Sequence, residues 1–332
     1  MANQMEYRTL GRTGLKVSAL AFGCGDVGGL MVRGAPADRE RAIARAVELG
    51  INYLDTAPSY GSGESERNLG VVLRALRPQV IVGTKCRLPD TTDVPGALTR
   101  SVENSLKLLG LERLDLFHLH NPLGRVTGER RLGVGDVLDA VVPAARRLKE
   151  QGKIRSFGIT ALGETGALHR ALASGAIDTA QVCFNLLNPT AAHAVPMGYP
   201  AQDFDGLLHL AREKDVGTIC IRVLAAGALS GQVARHPVAI PAVDPIASGP
   251  DYATDVARAK AFEPLIKEGY AGSLVEAGFR FALGTETMST VLIGCSDLSH
   301  LEFAAAAAAK GPLPAPALDR LRAIWPRLAN SH

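Results

Sequence analysis

The sequence predicts an α/β fold, a single (β/α)8 barrel domain over residues 1–332, and three observations predict it. Eight short apolar, β-branched runs alternate with helix-like stretches along the whole chain. At 332 residues and 47% hydrophobic composition the chain is too long for one small core, and it fits two ordinary domains or one large barrel. The three longest connections, 121–134, 186–201 and 224–252, each follow a strand-like run, which places them together at the C-terminal face of a barrel, where long loops are often functional.

The elements follow in order. "YRTLGRTGLKVS" (7–18) has a Gly-Arg-Thr-Gly turn between two short strand-like pieces and reads as an N-terminal β-hairpin outside the eightfold pattern. The eight runs are "SALAFGC" (18–24), "INYLDT" (51–56), "VIVGTK" (80–85), "LDLFHLH" (114–120), "IRSFGIT" (154–160), "TAQVCFN" (179–185), "VGTICIRV" (216–223) and "TVLIGC" (290–295). Helical patterns occupy 39–49, 64–76, 96–109, 136–150, 164–174, 203–214 and 273–283, and the alanine run 304–309 reads as a further helix. In 64–76, Leu69, Val72, Leu73 and Leu76 recur at helical spacing, and Glu64 and Glu66 suit the first turn. Pro237, Pro241, Pro245 and Pro250 make the loop 224–252 extended rather than disordered.

"GCGDVGG" holds G-x-G-x-x-G at Gly23, Gly25 and Gly28 after an apolar run, as a dinucleotide-binding βαβ unit would. That motif needs a helix opening on its glycines. Here Gly34 and Pro36 interrupt, and the helical pattern begins only near Asp38, so the Rossmann reading fails.

Net charge is +3 with scattered arginines and no basic block, which points away from nucleic acid and anionic membranes. The start "MANQMEYRTL" is polar, and no apolar stretch is long enough to span a bilayer, so a cytoplasmic location is expected. The five cysteines, Cys24, Cys86, Cys183, Cys220 and Cys295, form no C-x-x-C pair; their odd number and wide spacing fit reduced thiols beside strands, with no disulfide framework and no metal site.

Barrel chemistry gathers at the C-terminal ends of the strands. Asp55 ends the second run, Lys85 the third and His120 the fourth, and Tyr60 lies on the loop after the second. Alternation places Tyr53 with Asp55, Gly83 with Lys85, and His118 with His120 on common faces. Taken singly, Asp55 could be a turn residue, Lys85 a surface lysine and Tyr60 loop packing; His118 reads as an interior barrel histidine. Taken together, the strand-end set predicts a catalytic cluster. A tyrosine of ordinary pKa about 10 is a weak acid at neutral pH. A lysine ammonium beside it favours the phenolate, an aspartate keeps that lysine charged, and a histidine orients a carbonyl oxygen. None of the four is a redox centre, so the hydride must come from a cofactor.

This set resembles the aldo-keto reductase family. "YLDTAPSYG", "VGTK" and "LDLFHLH" are similar to its Asp, Tyr, Lys, His tetrad in order and place, and "EYRTLGRTGLKVSALAFGCG", "GKIRSFGIT", "AQVCFNLLN", "GALSG" and "VLIGCSDLSHLE" to further family blocks. The resemblance implies a barrel that binds NAD(P)H in extended form. Tyr60 would be the general acid/base, Lys85 and Asp55 would tune it, and His120 would position the substrate. Cofactor contacts would come from Gly23, Asp55, Thr160, Gln181 (at the carboxamide) and Ile221, then from 224–231 over the pyrophosphate with Leu224, Gly227, Leu229 and Gly231. Segment 294–304 would hold the adenosine end with Gly294, Ser296, Asp297 and His300, and Ser299-x-x-Glu302 reads there as a capping box whose helix attracts phosphate.

The sequence departs from the family pattern in three places. Thr160-Ala161 stands where Ser-Asn is usual, Ile221 stands where an aromatic is usual, and Asp297 would repel a 2′-phosphate. An aspartate on a 2′-hydroxyl is an NAD device, so the lean is to NAD over NADP. "FGIT" and "VLAAGALSG" resemble the branch that oxidises aldoses or pyridoxal. The implied partner is a small carbonyl or sugar substrate, and the protein a monomer or small homo-oligomer. Two rivals stand beside this reading: a barrel lyase or aldolase using Lys85 as a Schiff base, which needs a depressed lysine pKa, and a non-catalytic cofactor-binding protein.

Overall fold

Eight parallel strands close into a barrel in the order in which they occur along the chain. The computed structural model describes residues 5–129 and 131–329. The barrel strands are β1 (Leu20–Gly23), β2 (Tyr53–Asp55), β3 (Ile81–Cys86), β4 (Leu114–Leu119), β5 (Ile154–Thr160), β6 (Thr179–Cys183), β7 (Gly217–Ile221) and β8 (Thr290–Gly294). Seven lie inside the runs expected from sequence, and β3 extends one residue beyond its run, to Cys86. The last strand closes on the first with Gly294 beside Gly23.

The helices between strands include α1 (Pro36–Glu48), α2 (Glu64–Leu76), α3 (Val94–Leu109), α4 (Val142–Glu150), α5 (Thr165–Ala173), α6 (Leu207–Glu213) and α7 (Leu274–Leu283), and α8 (Leu298–Ala309) follows β8. Local chemistry sets their ends. Pro36 does not interrupt α1 but opens it, since a proline at the first helical position lacks only a donor that would be unpaired there. Asp93 starts α3 by accepting the Gly96 amide at 3.0 Å. The helix expected from 203 begins only at Leu207, because Asp205 (φ 50°) and Gly206 (φ 66°) are left-handed. Ahead of α4, Val137–Val141 forms a wider π turn next to Pro143, which cannot donate to a regular ladder. A helix not read from the sequence, Ala315–Ala329, packs back on the molecule, and its Trp325 indole donates to the Leu186 carbonyl at 3.1 Å.

Alternation along the strands divides two layers. Leu54, Phe117, Phe157 and Val182 face the helices. Tyr53, Leu116, Ile219 and Leu292 fill the barrel with Leu10, Leu15 and Val17 of the hairpin Tyr7–Thr9/Lys16–Ser18, which therefore plugs the N-terminal end. The plug is seated so closely that a Cβ on Gly11 would lie 2.3 Å from the Gly217 nitrogen. No helix among the described residues is long and apolar enough to cross a membrane.

The register runs Lys85, His118, Gly158, Thr179 around one level of the barrel. Gly158 leaves room for the His118 ring: a Cβ there would lie 2.4 Å from the Thr179 carbonyl and 2.6 Å from His118 Cδ2. Gly158→Ala is expected to destabilise the fold by about 1–3 kcal/mol through overpacking. Urea unfolding checks this, and an unchanged midpoint would show that the barrel yields at this level.

Candidate active site

The site is built from the C-terminal ends of β2, β3 and β4. Tyr53 and Asp55 share the interior face of β2, and the Tyr53 hydroxyl donates to Asp55 Oδ1 at 2.8 Å. Gly83 on the neighbouring strand permits this, since a Cβ there would meet that hydroxyl at 2.8 Å. Asp55 Oδ1 also accepts Gln181 Nε2 at 2.6 Å, and its Oδ2 is ion-paired to Lys85 Nζ. Lys85 Nζ donates in addition to the Thr56 carbonyl at 2.8 Å. Lys85 is 0% exposed and Asp55 3%. Burial alone would depress the Lys85 ammonium, but Asp55 and Tyr60 outweigh it and hold its pKa above the ordinary lysine value. A Schiff-base amine needs the opposite shift.

Tyr60 is delivered by a left-handed turn. Gly61 (φ 57°), Ser62 (φ 53°) and Gly63 (φ 93°) reverse the chain ahead of α2. Asp26 pins the turn by accepting the Gly61 amide at 3.0 Å. The Tyr60 ring lies over Gly25, whose missing Cβ would stand 3.5 Å away. Lys85 Nζ is 4.9 Å from the ring centroid, and the His120 ring meets it edge-on at 6.0 Å and 89°. Lys85 does pull the phenol's pKa down, as expected, but burial raises it more and Asp55 adds to the rise, so the net shift is upward. The expected depressed tyrosine is thus replaced by a protonated one at neutral pH. Burial and the Lys85 charge push both His118 and His120 down to about 3, so both are neutral imidazoles. His118 Nε2 pairs with Thr179 Oγ1 at 2.9 Å in the barrel interior.

Tyr60, Asp55 and His120 open onto a cleft of about 1110 Å³ that crosses the barrel mouth. Gly23, Thr160, Gln181, Ile221, Leu224, Gly227, Gly294, Ser296 and His300 also line it. Lys85 sits beneath the floor. Leu229 is fully buried in the core, and Gly231 is a left-handed residue (φ 74°) ending the turn Ala225–Ser230, so neither forms the wall. Asp297 is not on the wall either. Its Oδ1 caps α8 by accepting the Ser299 amide at 2.8 Å and the His300 amide at 3.3 Å, while its Oδ2 faces His236 Nε2 at 3.5 Å. The expected Ser299/Glu302 capping box is therefore absent: Asp297 is the cap, and Glu302 pairs with Arg45 at 3.2 Å.

Sequence reasoning named the loop 224–252 and its extended path but missed the contacts by which residues 232–243 form a strap. Arg235 donates to the carbonyls of Ile240 (2.7 Å), Ala226 (2.9 Å) and Val27 (3.0 Å), and Arg33 Nε to that of Val238 (2.7 Å). Gly29 (φ 82°) makes room, since a Cβ there would lie 2.0 Å from the Val238 carbonyl. The strap's prolines were the available sign of an ordered path. It also missed Arg222, which lines the cleft in a left-handed conformation (φ 57°), a geometry that costs a non-glycine residue about 1–2 kcal/mol.

The five cysteines are free and buried, and burial pushes their thiols up, Cys86 to about 11, so none is a ready nucleophile. The cleft has room for a dinucleotide, and on its wall Gly23 and Gly294 meet across the β1–β8 seam, with Gly28 packed so closely that a Cβ there would strike the Cys295 carbonyl at 2.5 Å.

The comparisons with known proteins place this barrel in a family of nicotinamide-dependent oxidoreductases. Residues 19–326 match the model of the aldo/keto reductase family. The chain belongs to the aldo-keto reductase family and is an NAD(P)-dependent oxidoreductase. It is 30% identical to L-galactose dehydrogenase of Arabidopsis thaliana over 309 residues, covering 90% of this chain and 86% of that protein. It is 32% identical to D-threo-aldose 1-dehydrogenase of a Pseudomonas species over 212 residues, covering 55% and 62%. The solved holo structure of aldo-keto reductase AKR11C1 from Bacillus halodurans has the same fold, with a TM-score of 0.72 over 97% of both chains at 24% identity.

Removing either partner of the Asp55–Lys85 pair leaves a buried charge uncompensated. Asp55→Asn and Lys85→Met are each expected to cost about 3–5 kcal/mol of stability. The double variant should cost clearly less than the sum, as denaturant unfolding of all four proteins would show. Strict additivity would mean that the pair is not energetically coupled.

Proposed function

We propose that this protein, working as one barrel domain, catalyses hydride transfer between a nicotinamide and a carbonyl or alcohol carbon of an aldehyde, ketone or aldose, with Tyr60 as general acid/base. The observation that carries this reading is the buried Lys85–Asp55 pair beneath a partly buried tyrosine at the wall of a large cleft. When bound, the nicotinamide supplies or accepts the hydride. Tyr60 Oη holds the proton that the carbonyl oxygen receives. Lys85 stabilises the phenolate left behind, and Asp55 keeps Lys85 charged and in place. Neutral His120 orients the carbonyl oxygen toward Tyr60 without competing as an acid.

Gln181 and Thr160 would meet the carboxamide, with Ile221 against the ring. Gly23 would floor the nicotinamide end beside Asp55. Leu224 and Gly227 would wall the pyrophosphate, with Leu229 and Gly231 holding that turn from behind. Gly294, Ser296 and His300 would receive the adenosine end. NAD is the proposed partner: Asp297 adds negative charge there, and the one arginine of the nearby strap, Arg235, spends its donors on three carbonyls. The named relatives act on aldoses, which supports a sugar or hydroxyaldehyde substrate.

Tyr60→Phe is expected to lower turnover by about 10²–10⁴-fold while nucleotide affinity is kept, because it removes the proton and not the hydride donor. In the wild type, kcat/KM for reduction should stay flat from about pH 6 to 10 and fall only above that, as a phenol raised beyond its ordinary value finally ionises. A break near the ordinary imidazole pKa of about 6.5 would instead put an ionising histidine in the step. NADH should bind more tightly than NADPH when followed by fluorescence, and the reverse order would refute the NAD assignment.

A further inference from the structure

The cleft has one cation that the fold does not use. Among the described residues its wall carries two arginines, Arg222 and Arg235, and no lysine. Arg235 is a fastener, with three carbonyl partners and its guanidinium 5.1 Å above the Tyr252 ring. The Arg222 guanidinium makes a single hydrogen bond among the described residues, from Nη1 to the Asp244 carbonyl at 3.0 Å, and no ion pair. A guanidinium carries five donors, so most of its capacity is unspent. Burial disfavours its charge, a cost that an anionic ligand would offset. Its backbone is fixed in the left-handed region, with its carbonyl accepting Asn185 Nδ2 at 2.9 Å.

Its place in the cleft indicates what it faces. The segment that Arg222 touches, 244–246, lies over the end of β6, where Cys183 Sγ donates to the Ile246 carbonyl at 3.3 Å. Arg222 shares the wall of the cleft with Tyr60 and His120, and its charge favours the Tyr60 phenolate. The strap that crosses to Val27 and Asp26 is held by Arg235 and Arg33 instead.

We propose that Arg222 is a specificity-determining residue that binds an anionic group, carboxylate or phosphate, on the carbonyl substrate. The inference rests on the redox reading above and narrows its substrate to an acidic carbonyl compound. A planar guanidinium suits either anion through paired N–H donors.

The test compares 4-oxobutanoate with butanal, and glyceraldehyde 3-phosphate with glyceraldehyde, in the wild type, Arg222→Met and Arg222→Lys. The wild type should favour the anionic member of at least one pair about tenfold or more in kcat/KM. Arg222→Met should erase that ratio, mainly through KM, and Arg222→Lys should restore part of it. NADH and NADPH dissociation constants should move less than about threefold. Equal use of charged and neutral substrates by the wild type would overturn the proposal. So would a loss that falls on nucleotide affinity, since Arg222 would then serve the pyrophosphate. Thermal stabilisation of the wild type and Arg222→Met by butanoate against butanamide needs no turnover. If no carbonyl compound is reduced, butanoate-specific stabilisation that disappears in Arg222→Met upholds the anion site while the redox reading falls; its absence overturns the anion site as well.

Discussion

The ion pair between Lys85 and Asp55 is the constraint from which the rest of the site follows. A charged lysine at the floor of a barrel is tolerable only with a carboxylate and further acceptors around it. Asp55 meets that need and is itself held by Tyr53 and Gln181, so four strand residues on β2, β3 and β6 form one hydrogen-bonded unit. The glycine at position 83 exists in that unit as empty space for the Tyr53 hydroxyl. The surroundings of Tyr60 are then a balance of opposing effects: burial raises its pKa, the ammonium lowers it and the aspartate raises it again.

The neutral histidines complete this arrangement. His118 and His120 sit within the field of the same ammonium, and both lose their affinity for protons. Burial and that one positive charge together leave the tyrosine protonated and the imidazoles neutral at neutral pH.

Much of this was legible in the sequence because it is local. Asp55, Lys85 and His120 each end an apolar run, and alternation alone turns them to a common face. The eight strands were readable from the same alternation, and the hairpin from its Gly-Arg-Thr-Gly turn. What escaped depends on contacts between distant segments. The strap is defined by Arg33 meeting Val238 and by Arg235 meeting Val27, pairs some two hundred positions apart with no periodic trace. The cap of α8 was misassigned because Ser299 and Asp297 are both good capping residues, and only backbone geometry shows that Asp297 precedes the first helical turn. The sign of the Tyr60 shift was missed for a related reason: a sequence reveals the neighbouring charge but not the depth of burial that opposes it.

The cleft runs over the seam between β1 and β8, where Gly23 meets Gly294 on its wall. These strands are the first and last of the barrel, so the seam exists only in the closed ring. A ligand held across that joint would act as a clasp on the closed ring, opposing its reopening.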